Sequence, residues 1–350
     1  MRIFFAALLT MFFSPFATAK VLVSFADVAE RALDGVVNIR STVYNANKDP
    51  GLDLYQFFLK GNIPPASDSH SIGSGVIIDS NGHIITNHHV IKDASTVKIL
   101  FKNKQKRIAK IIGTDVKTDL ALLKVQLPKG TRPVDLGDSD KLRVGDAVVA
   151  VGNPFGYGHT VTSGIISAKG RVIGTGPYDN FLQTDASIHP GNSGGPLLDI
   201  RGRVIGINTA VSAEGPGIGF AIPVNLAKSI IKDLKKYGKV HRPFMGVVGK
   251  NILSVDEIDE TAGVYGVIIT NLIVDSPAHK SGLKIGDLIM GVGKAKVHDM
   301  NRLAQIMTSY SPSDQVRLKV YSRGKGVKYL NINLSDMPDS SSLPIEKDLF

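Results

Sequence analysis

The stretch PGNSGGP, Pro190–Pro196, places one serine among glycines and prolines. A serine hydroxyl is a poor nucleophile unless a histidine accepts its proton and a carboxylate fixes the tautomer of that histidine. Glycines beside Ser193 allow a sharp turn that aims two backbone N–H groups at one point, where they could stabilise an oxyanion. We therefore expect Ser193 to be a nucleophile and the N–H groups of Gly191 and Ser193 to form an oxyanion hole. The alternative is an ordinary turn serine.

A base and a carboxylate for this serine occur earlier in the chain. The segment ITNHHV, Ile85–Val90, offers two histidines at the end of a strand, and TDLALLKV carries Asp119 in front of a very apolar run. A carboxylate beside such a run is costly to bury unless it is paired. Each residue alone has an ordinary structural explanation, but the order His, Asp, Ser indicates a nucleophilic triad. Neighbouring strand residues face opposite sides, so only one of His88 and His89 can serve the site.

The composition argues against several other functions. Without cysteine, the chain has neither disulfides nor thiol catalysis. A metal site at His83, His88 and His89 lacks the spacing of known ligand motifs. No nucleotide-binding loop or cofactor motif occurs, so we expect no cofactor. The net charge of +10 comes from scattered lysines without interleaved aromatic residues, which favours a solvated surface over a nucleic-acid partner.

The segments around these residues predict a mainly β fold. Between residues 36 and 211, short apolar runs alternate with Gly, Asn, Asp and Pro, and the dipeptides Asn81-Gly82 and Arg201-Gly202 indicate hairpins. Regular spacing of this kind, with no long helical period, is typical of a β-barrel or sandwich.

The pattern changes towards the end of the chain. After Pro223, apolar residues recur every three or four positions up to Gly238, which predicts an amphipathic helix. The same period over Leu303–Tyr310 predicts a second helix among strand-like runs, and hence a mixed α/β domain. We divide the chain into a leader 1–19, a first domain 20–237, a linker 238–243, an α/β domain 244–336 and a polar tail 337–350.

The leader has the features of a secretory signal peptide. Arg2 precedes the apolar run Ile3–Phe13, and Ala17-Thr18-Ala19 matches a cleavage site. This run is too short for a bilayer, which needs about twenty residues. We expect export to the periplasm, with membrane contact only where the leader is retained as an anchor.

Seven motifs resemble the HtrA/DegP family of chymotrypsin-fold serine proteases, in family order: TNHHV, TDLALLKV, GNPFGYG, SGIISAKGR, QTDASIHPGNSGGPL, GINTAV and GIGFAIP. The resemblance extends over about residues 28–335. It implies a chymotrypsin-like double β-barrel protease domain followed by a PDZ domain. The family pattern T-N-x-H-V makes His89 the base, and it matches Asp119 to the orienting carboxylate and Ser193 to the nucleophile.

The resemblance also implies a substrate pocket. Trypsin-type enzymes that cut after Lys or Arg carry an Asp six residues before the nucleophile, where this chain has Ser187. By family analogy Ile188 and Val211 line the S1 pocket and favour small aliphatic residues. An apolar pocket rejects a side chain of the wrong size by only about 1–3 kcal/mol, so loose specificity suited to unfolded substrates would follow.

A peptide-binding groove is implied in the last domain. HRPFMGVVG resembles the carboxylate-binding loop and first groove strand of a PDZ domain. A peptide C-terminus would add there as a strand and insert its last side chain near Leu303 and Ile306. Phe-Met replaces the common Gly-Leu, which leaves the peptide preference open. The residues that correspond to the binding loop are Phe244, Met245, Gly246 and Val247.

The family's regulatory features have counterparts as well. The sensor arginine corresponds to Arg171, the loop Tyr44–His70 with its aromatic segment Leu54–Phe58 resembles the regulatory loop, and trimer-based homo-oligomers are implied. We predict an ATP-independent endopeptidase that degrades unfolded or misfolded proteins and is regulated by peptide C-termini at its PDZ domain. The alternatives are a membrane-anchored protease that cuts one signalling substrate, and a chaperone or PDZ adaptor with secondary proteolysis.

Overall fold

The structure is a computed structural model that describes residues 24–43, 70–154, 158–176, 178–211, 217–252, 265–338 and 345–346. The leader 1–19 and the aromatic segment Leu54–Phe58 lie outside the described residues. Among the helices of the described ranges, none is long and apolar enough to cross a bilayer.

The apolar runs of the first half of the chain form a closed barrel of six antiparallel strands. They are β1 (Val36–Thr42), β2 (His70–Ile77), β3 (His83–Asn87), β4 (Thr96–Leu100), β5 (Lys106–Asp115) and β6 (Leu120–Lys124), which pair in the order β1-β2-β3-β6-β5-β4. The expected hairpin at Asn81-Gly82 joins β2 to β3. Ile39, Ile84 and Leu123 are fully buried in the core of this barrel.

A second closed barrel of six antiparallel strands follows. It contains β7 (Ala147–Gly152), β8 (Thr160–Arg171), β9 (Phe181–Thr184), β10 (Pro196–Asp199), β11 (Val204–Val211) and β12 (Gly219–Pro223), in the order β10-β11-β12-β9-β8-β7. Arg201-Gly202 lies in the turn between β10 and β11, as the sequence predicts. Two closed barrels confirm the mainly β, double-barrel fold.

In the part of the first domain that the structure describes, three α-helices accompany the barrels. The amphipathic helix expected after Pro223 is present as α3 (Val224–Tyr237), and Gly238 caps its C-terminus. The short α2 (His88–Ile91) follows β3 directly. The helix α1 (Phe25–Leu33) is not predicted by our sequence analysis; its Val28 and Ala32 are fully buried with side chains of both barrels and of α3. The core between the barrels is therefore closed by helices at the two ends of the first domain.

The last domain is mixed α/β, as expected. Its elements are β13 (Pro243–Phe244), β14 (Val247–Asn251), β15 (Val267–Ile273), α4 (Pro277–Lys280), β16 (Leu288–Val292), β17 (Ala295–Lys296), α5 (Met300–Met307), β18 (Gln315–Ser322), β19 (Gly326–Asn333) and β20 (Ser335–Asp336). The main sheet has the strand order β14-β15-β16-β18-β19, and the apolar face of α5 packs in the core of the domain.

Two details of this domain differ from the sequence prediction. Helix α5 ends at Met307, so Tyr310 lies outside it; the nearby Pro312 disfavours helical conformation in the residue before it. In the tail, residues Ile345–Glu346 form β21, which pairs with β15. The polar composition of the tail gives no indication of this strand.

The linker between the domains is held against the first barrel. Both Arg242 guanidinium nitrogens donate to the Asp115 carboxylate at the end of β5, and Arg242 is only 8% exposed. The Arg242 guanidinium also lies 4.7 Å from the centre of the Tyr178 ring. Thr118 donates to the same carboxylate, so this buried ion pair lies next to the turn that carries Asp119.

Candidate active site

A histidine and an aspartate of the first barrel form a closely bonded pair. Nδ1 of His89, in α2, lies 2.7 Å from Oδ2 of Asp119, which precedes β6. The backbone N–H of His89 donates to Oδ1 at 2.9 Å, and the hydroxyl of Thr209 donates to Oδ2 at 2.8 Å. A carboxylate accepts only from a protonated ring nitrogen, so this contact favours the tautomer with hydrogen on Nδ1 and leaves Nε2 as the basic nitrogen.

The backbone around Asp119 fixes the position of its carboxylate. Asp119 has φ +54°, a left-handed conformation that aspartate tolerates better than most non-glycine residues. Its carbonyl accepts a hydrogen bond from the His88 N–H and another from the Asn87 amide, both at 3.0 Å. The turn before β6 is thereby tied to the end of β3, and strained backbone of this kind is concentrated at functional sites.

The electrostatics of the pair keep the aspartate ionised. Burial alone would raise the pKa of Asp119, but the neighbouring His89, together with hydrogen bonds from His89 and Thr209, outweighs burial and lowers that pKa below its ordinary value. Burial lowers the pKa of His88, which favours its neutral form despite the nearby Asp119 charge. A fixed negative charge beside His89 can support an imidazolium that forms during proton transfer.

Ser193 lies in the turn that enters β10, where the two barrels meet. It is 1% exposed, and its carbonyl accepts a hydrogen bond from the Ser74 N–H of β2 at 2.8 Å. The Gly194 N–H donates to the carbonyl of Asn208 at 2.8 Å, one residue before the Thr209 that bonds Asp119. These contacts place the Ser193 turn against β2 of the first barrel and beside Thr209, the residue that bonds Asp119. Ser193 Oγ and His89 Nε2 are both buried, and no hydrogen bond joins them in the described part of the chain.

The two backbone groups expected to bind an oxyanion lie in the same turn. Gly191 has φ +102°, and a Cβ there would lie 2.3 Å from Cβ of Pro154. Only glycine fits this conformation and this space. The turn is closed by hydrogen bonds between His189 and Asn192, whose N–H donates to the His189 carbonyl at 3.1 Å.

The residues expected to form S1 lie close together in the second barrel. Ile188 is 3% exposed in the barrel core, and a Cβ at Gly219 would lie 2.5 Å from its Cγ1. Val211 ends β11 and pairs with Gly219; its side chain lies outside the described part of the structure. Ser187 is exposed, and its carbonyl accepts from the Asn192 amide at 3.2 Å.

The prediction that His88 and His89 are neighbours on a strand is wrong. We placed His88 and His89 on a strand, where neighbours face opposite sides, but β3 ends at Asn87 and His88 opens the helical turn α2. Adjacent residues of a helix are rotated by about 100° around its axis. This rotation, rather than the alternation of a strand, separates the two side chains. His83 pairs with Asp79 at 2.7 Å. In the ranges that the structure covers, no group of three or more His, Cys, Asp or Glu side chains is placed to hold a metal ion.

Arg171 occupies the last position of β8 rather than a loop. Its side chain is exposed, and Nε donates to Oε1 of Gln183 at 2.7 Å. The segment after it leads to Tyr178 and Phe181, which line a cavity of about 160 Å³ together with His89 and Asp119. Arg171 is therefore only a few residues along the chain from side chains that line the cavity beside His89 and Asp119.

The expected peptide groove lies at an edge of the α/β sheet. Phe244 belongs to β13, Met245 is buried in the domain core, and Val247 begins β14. Gly246 has φ +87°, and its carbonyl accepts from the Ile273 N–H at 2.9 Å. Within the described residues β14 pairs with β15 alone, so its outer edge is available to an added strand.

Helix α5 begins beside the end of β14. The Met300 N–H at its start donates to the Asn251 side chain of β14 at 2.7 Å. Leu303 and Ile306, expected near the pocket for the last peptide side chain, are 3% and 8% exposed in the domain core. Both side chains therefore pack in the core of this domain.

Sequence reasoning missed the polar residues that connect these parts. Thr209 and Asn208 lie in GINTAV, which we used only as a family motif, and Ser74 lies in the strand-like run before Asn81-Gly82. All three are buried and hydrogen-bonded. The available signal is a polar residue within an otherwise apolar strand, because buried polar groups persist where they have partners.

Comparison with known proteins identifies the family of this chain. Residues 73–207 match the trypsin-like peptidase domain, and residues 239–334 match the PDZ domain. A probable periplasmic serine endoprotease of Bartonella henselae, described as DegP-like, is 38% identical over 363 residues, which cover 94% of this chain and 71% of that protein. The chain belongs to the HtrA/DegP family of serine endoproteases.

Other members of the family give the same result. A Rickettsia conorii protein, also described as a probable periplasmic DegP-like serine endoprotease, is 42% identical over 85% of this chain and 63% of its own length. Among solved structures, the HtrA-type protease AlgW with tripeptide has a TM-score of 0.76 and 35% identity, covering 91% of this chain and 98% of that one. The serine endoprotease from Yersinia pestis has a TM-score of 0.68 and 30% identity, covering 91% of this chain and all of that one.

These matches confirm the chymotrypsin-like protease domain and the PDZ domain. This member of the HtrA/DegP family is a serine endopeptidase, and the names of its relatives confirm the periplasmic location expected from the leader.

Proposed function

We propose that this protein is an ATP-independent quality-control endopeptidase that degrades unfolded or misfolded proteins in the periplasm. The observation that supports the proposal most strongly is the bonded His89–Asp119 pair at the junction where the Ser193 turn lies. Peptide C-termini bind its PDZ domain and increase its activity.

In the proposed mechanism Ser193 Oγ attacks the carbonyl carbon of the scissile peptide bond while His89 Nε2 accepts the hydroxyl proton. Asp119 stabilises the resulting imidazolium. The N–H groups of Gly191 and Ser193 donate to the oxyanion of the tetrahedral intermediate. His89 then gives its proton to the leaving amine, and water hydrolyses the acyl-enzyme by the same steps. Catalytic hydrogen bonds are often long before substrate binds, which is consistent with the absence of a bond between Ser193 and His89.

The proposed specificity follows from the apolar character of the pocket residues. Ile188 and Val211 form the sides of S1, and the site lacks the carboxylate that a Lys or Arg side chain would need, because Ser187 stands at that position. Small aliphatic residues such as Val and Ala are therefore preferred at P1. Such residues are abundant in hydrophobic cores and become accessible when a protein unfolds.

The proposed regulation uses the free edge of β14. A hydrophobic peptide C-terminus adds as a strand beside Val247, and its carboxylate meets backbone N–H groups of the loop that contains Phe244, Met245 and Gly246. One related HtrA-type protease has been solved with a tripeptide. Arg171 transmits the occupied state to the active-site turn, and trimer-based assembly, which rests on family resemblance, places neighbouring copies beside it.

A cleavage assay tests the proposal. The wild type is expected to degrade an unfolded model protein such as reduced casein, faster when a hydrophobic C-terminal peptide is added and without ATP. Ser193→Ala should remove the activity, since loss of the nucleophile costs up to about 10⁶-fold in kcat. Equal degradation by both forms would overturn the enzyme mechanism. Peptide stimulation that is unchanged in Arg171→Ala would contradict the role of that arginine.

A further inference from the structure

Strand β2 of the first barrel is hydrogen-bonded to the nucleophile turn of the second barrel through Ser74. This serine is fully buried. Its backbone N–H donates to the Ser193 carbonyl at 2.8 Å, and its own carbonyl accepts from the Thr86 hydroxyl at 2.7 Å. The backbone bonds alone fix Ser74 between the strand that leads to His89 and the turn that carries Ser193.

The hydroxyl of Ser74 makes two further contacts within the second barrel. It donates to the carbonyl of Gly191 at 2.6 Å and accepts from the N–H of Asn153 at 2.7 Å. A hydroxyl has a single hydrogen to donate, so the bond to Gly191 uses the whole donor capacity of Ser74. The orientation of the Gly191 carbonyl is thus set by a side chain of the other barrel.

A second side chain of the first barrel supports the same turn from behind. Asn38 pairs with Ser74 across β1 and β2, and its amide donates to the carbonyls of Asn153 at 2.7 Å and Pro154 at 3.3 Å. Pro154 is the residue against which Gly191 packs. Gly191 is therefore held by Pro154 on one side and by the Ser74 hydroxyl on another.

The space around Ser74 leaves no room for a substitute donor. A Cβ at Gly152 would lie 3.2 Å from Ser74 Oγ, and a Cβ at Gly195 would lie 3.2 Å from Ser74 Cβ. Loss of the hydroxyl would leave the buried Gly191 carbonyl and the buried Asn153 N–H without this partner. A buried polar group without a hydrogen-bond partner is costly, so the turn is expected to shift until these two groups find new partners.

We propose that Ser74 is a positioning residue for oxyanion stabilisation. By holding the Gly191 carbonyl it fixes the 191–192 peptide unit, and together with the packing of Gly191 on Pro154 this sets the torsion angles that direct the Gly191 N–H, in the preceding peptide unit, towards the developing charge. The inference rests on the proposed function, because it requires that the 191–193 turn binds an oxyanion. It adds to the site a residue of the first barrel that contacts neither substrate nor His89.

The test compares Ser74→Ala with the wild type on a chromogenic peptide substrate. A misplacement of about 1 Å at a reacting centre can cost about 100-fold, so we expect kcat to fall by about 10- to 100-fold with KM unchanged. A peptide boronate, which forms a tetrahedral adduct on Ser193, should lose affinity by the same factor as kcat. The acid limb of the pH–rate profile should stay in place, because the His89–Asp119 contacts are intact. If Ser74 had a purely structural role, Ser74→Ala would lower the free energy of unfolding, and kcat and boronate affinity would not fall together.

Ser139→Ala is the matched control. Ser139 is also a buried serine, and its hydroxyl accepts one backbone N–H, that of Asn225, at the start of α3. It should lose stability with kcat unchanged. Should Ser74→Ala fail to fold, Ser74→Cys, a weaker donor of similar size, is expected to give an intermediate kcat. Wild-type kcat and boronate affinity in the folded Ser74 variant would overturn the inference. The proposed function has a separate test: it fails if the wild type and Ser193→Ala degrade the unfolded protein equally fast.

Discussion

The two barrels share one topology but hold their parts of the active site by different means. In the first barrel, the Asp119 carboxylate accepts two hydrogen bonds from His89 and one from Thr209, so its contribution is a charged pair. In the second barrel, the turn around Ser193 is held by neutral hydrogen bonds and by the conformation of Gly191.

The difference follows from what each part must do in the proposed reaction. His89 becomes positively charged during proton transfer, and a fixed carboxylate stabilises that charge. The oxyanion, in contrast, is bound by backbone N–H groups, whose direction depends on φ and ψ rather than on a side chain. We therefore expect the first barrel to be sensitive to changes of charge and the second to changes of backbone conformation.

The largest expected effect comes from removing the charge of the pair. Asp119→Asn keeps the shape of the side chain, but an amide donor favours the wrong tautomer of His89, and the equivalent change in chymotrypsin-type triads lowers kcat by about 10⁴-fold. We expect a loss of this size in the kcat of peptide hydrolysis. The variant should remain folded at neutral pH, which urea unfolding can check.

Thr209→Val separates the charge from its hydrogen bonds. It removes one donor to Asp119 and keeps the carboxylate, so a loss of about tenfold is expected, as for one hydrogen bond to a charged group. If both variants lost the same activity, the pair would not depend on its charge in the way we describe.

A glycine substitution tests the second barrel. In Gly191→Ala the new Cβ meets Pro154 and the residue keeps a left-handed φ, so the turn must move. Misdirection of one oxyanion donor costs about 10²- to 10³-fold in kcat, and we expect a loss in that range with little change in KM.

Gly145→Ala is the control for this substitution. Gly145 has φ +94°, and a Cβ there would meet nothing within 4 Å. Its replacement should lower the free energy of unfolding by about 1–2 kcal/mol through backbone strain and leave kcat unchanged. The two variants can be compared by steady-state kinetics and urea unfolding; equal kcat values would show that the 191–193 turn tolerates displacement.

The sequence predicts the parts of the site that depend on local pattern. Alternating apolar runs indicate the barrels, and the period after Pro223 indicates α3. Residue type and chain order bring His89, Asp119 and Ser193 into consideration, and family resemblance selects between the two histidines. These features are visible because they recur over short distances or carry unusual chemistry.

The remaining features depend on contacts between distant segments. The turn from β3 into α2 at His88 is stabilised by the carbonyl of Asp119, 31 residues later. The role of Ser74 depends on Gly191, which is 117 residues away. No local period or propensity encodes such pairs, and a serine in an apolar strand does not reveal its partner. The helix α1 is equally hidden, since its buried face consists of one valine and two alanines, which give only a weak apolar period.

The smallest effect is expected at the hairpin before β3, far from the chemistry. Burial alone would raise the pKa of Asp79, but hydrogen bonds from Lys235 of α3 and from His83 outweigh it and lower the pKa to about 2, from an ordinary 3.8. This stabilisation is present above the unfolded-state pKa and is lost as pH falls through the folded-state pKa. Asp79→Asn should therefore lower the free energy of unfolding by about 2 kcal/mol at pH 7, and the difference from wild type should shrink between about pH 4 and pH 2.

Asp79→Asn removes charge from the first barrel outside the candidate active site, so its effect on stability is separate from that of the catalytic pair. Peptide hydrolysis at pH 7 should be unchanged, since His89 and Asp119 keep all their contacts. Asp140→Asn, at an exposed aspartate beside the second barrel, is the matched control and should leave stability unaltered across the same pH range. Urea unfolding from pH 2 to pH 7 measures both variants. A pH-independent loss in Asp79→Asn would mean that packing, rather than charge, holds α3 to the first barrel.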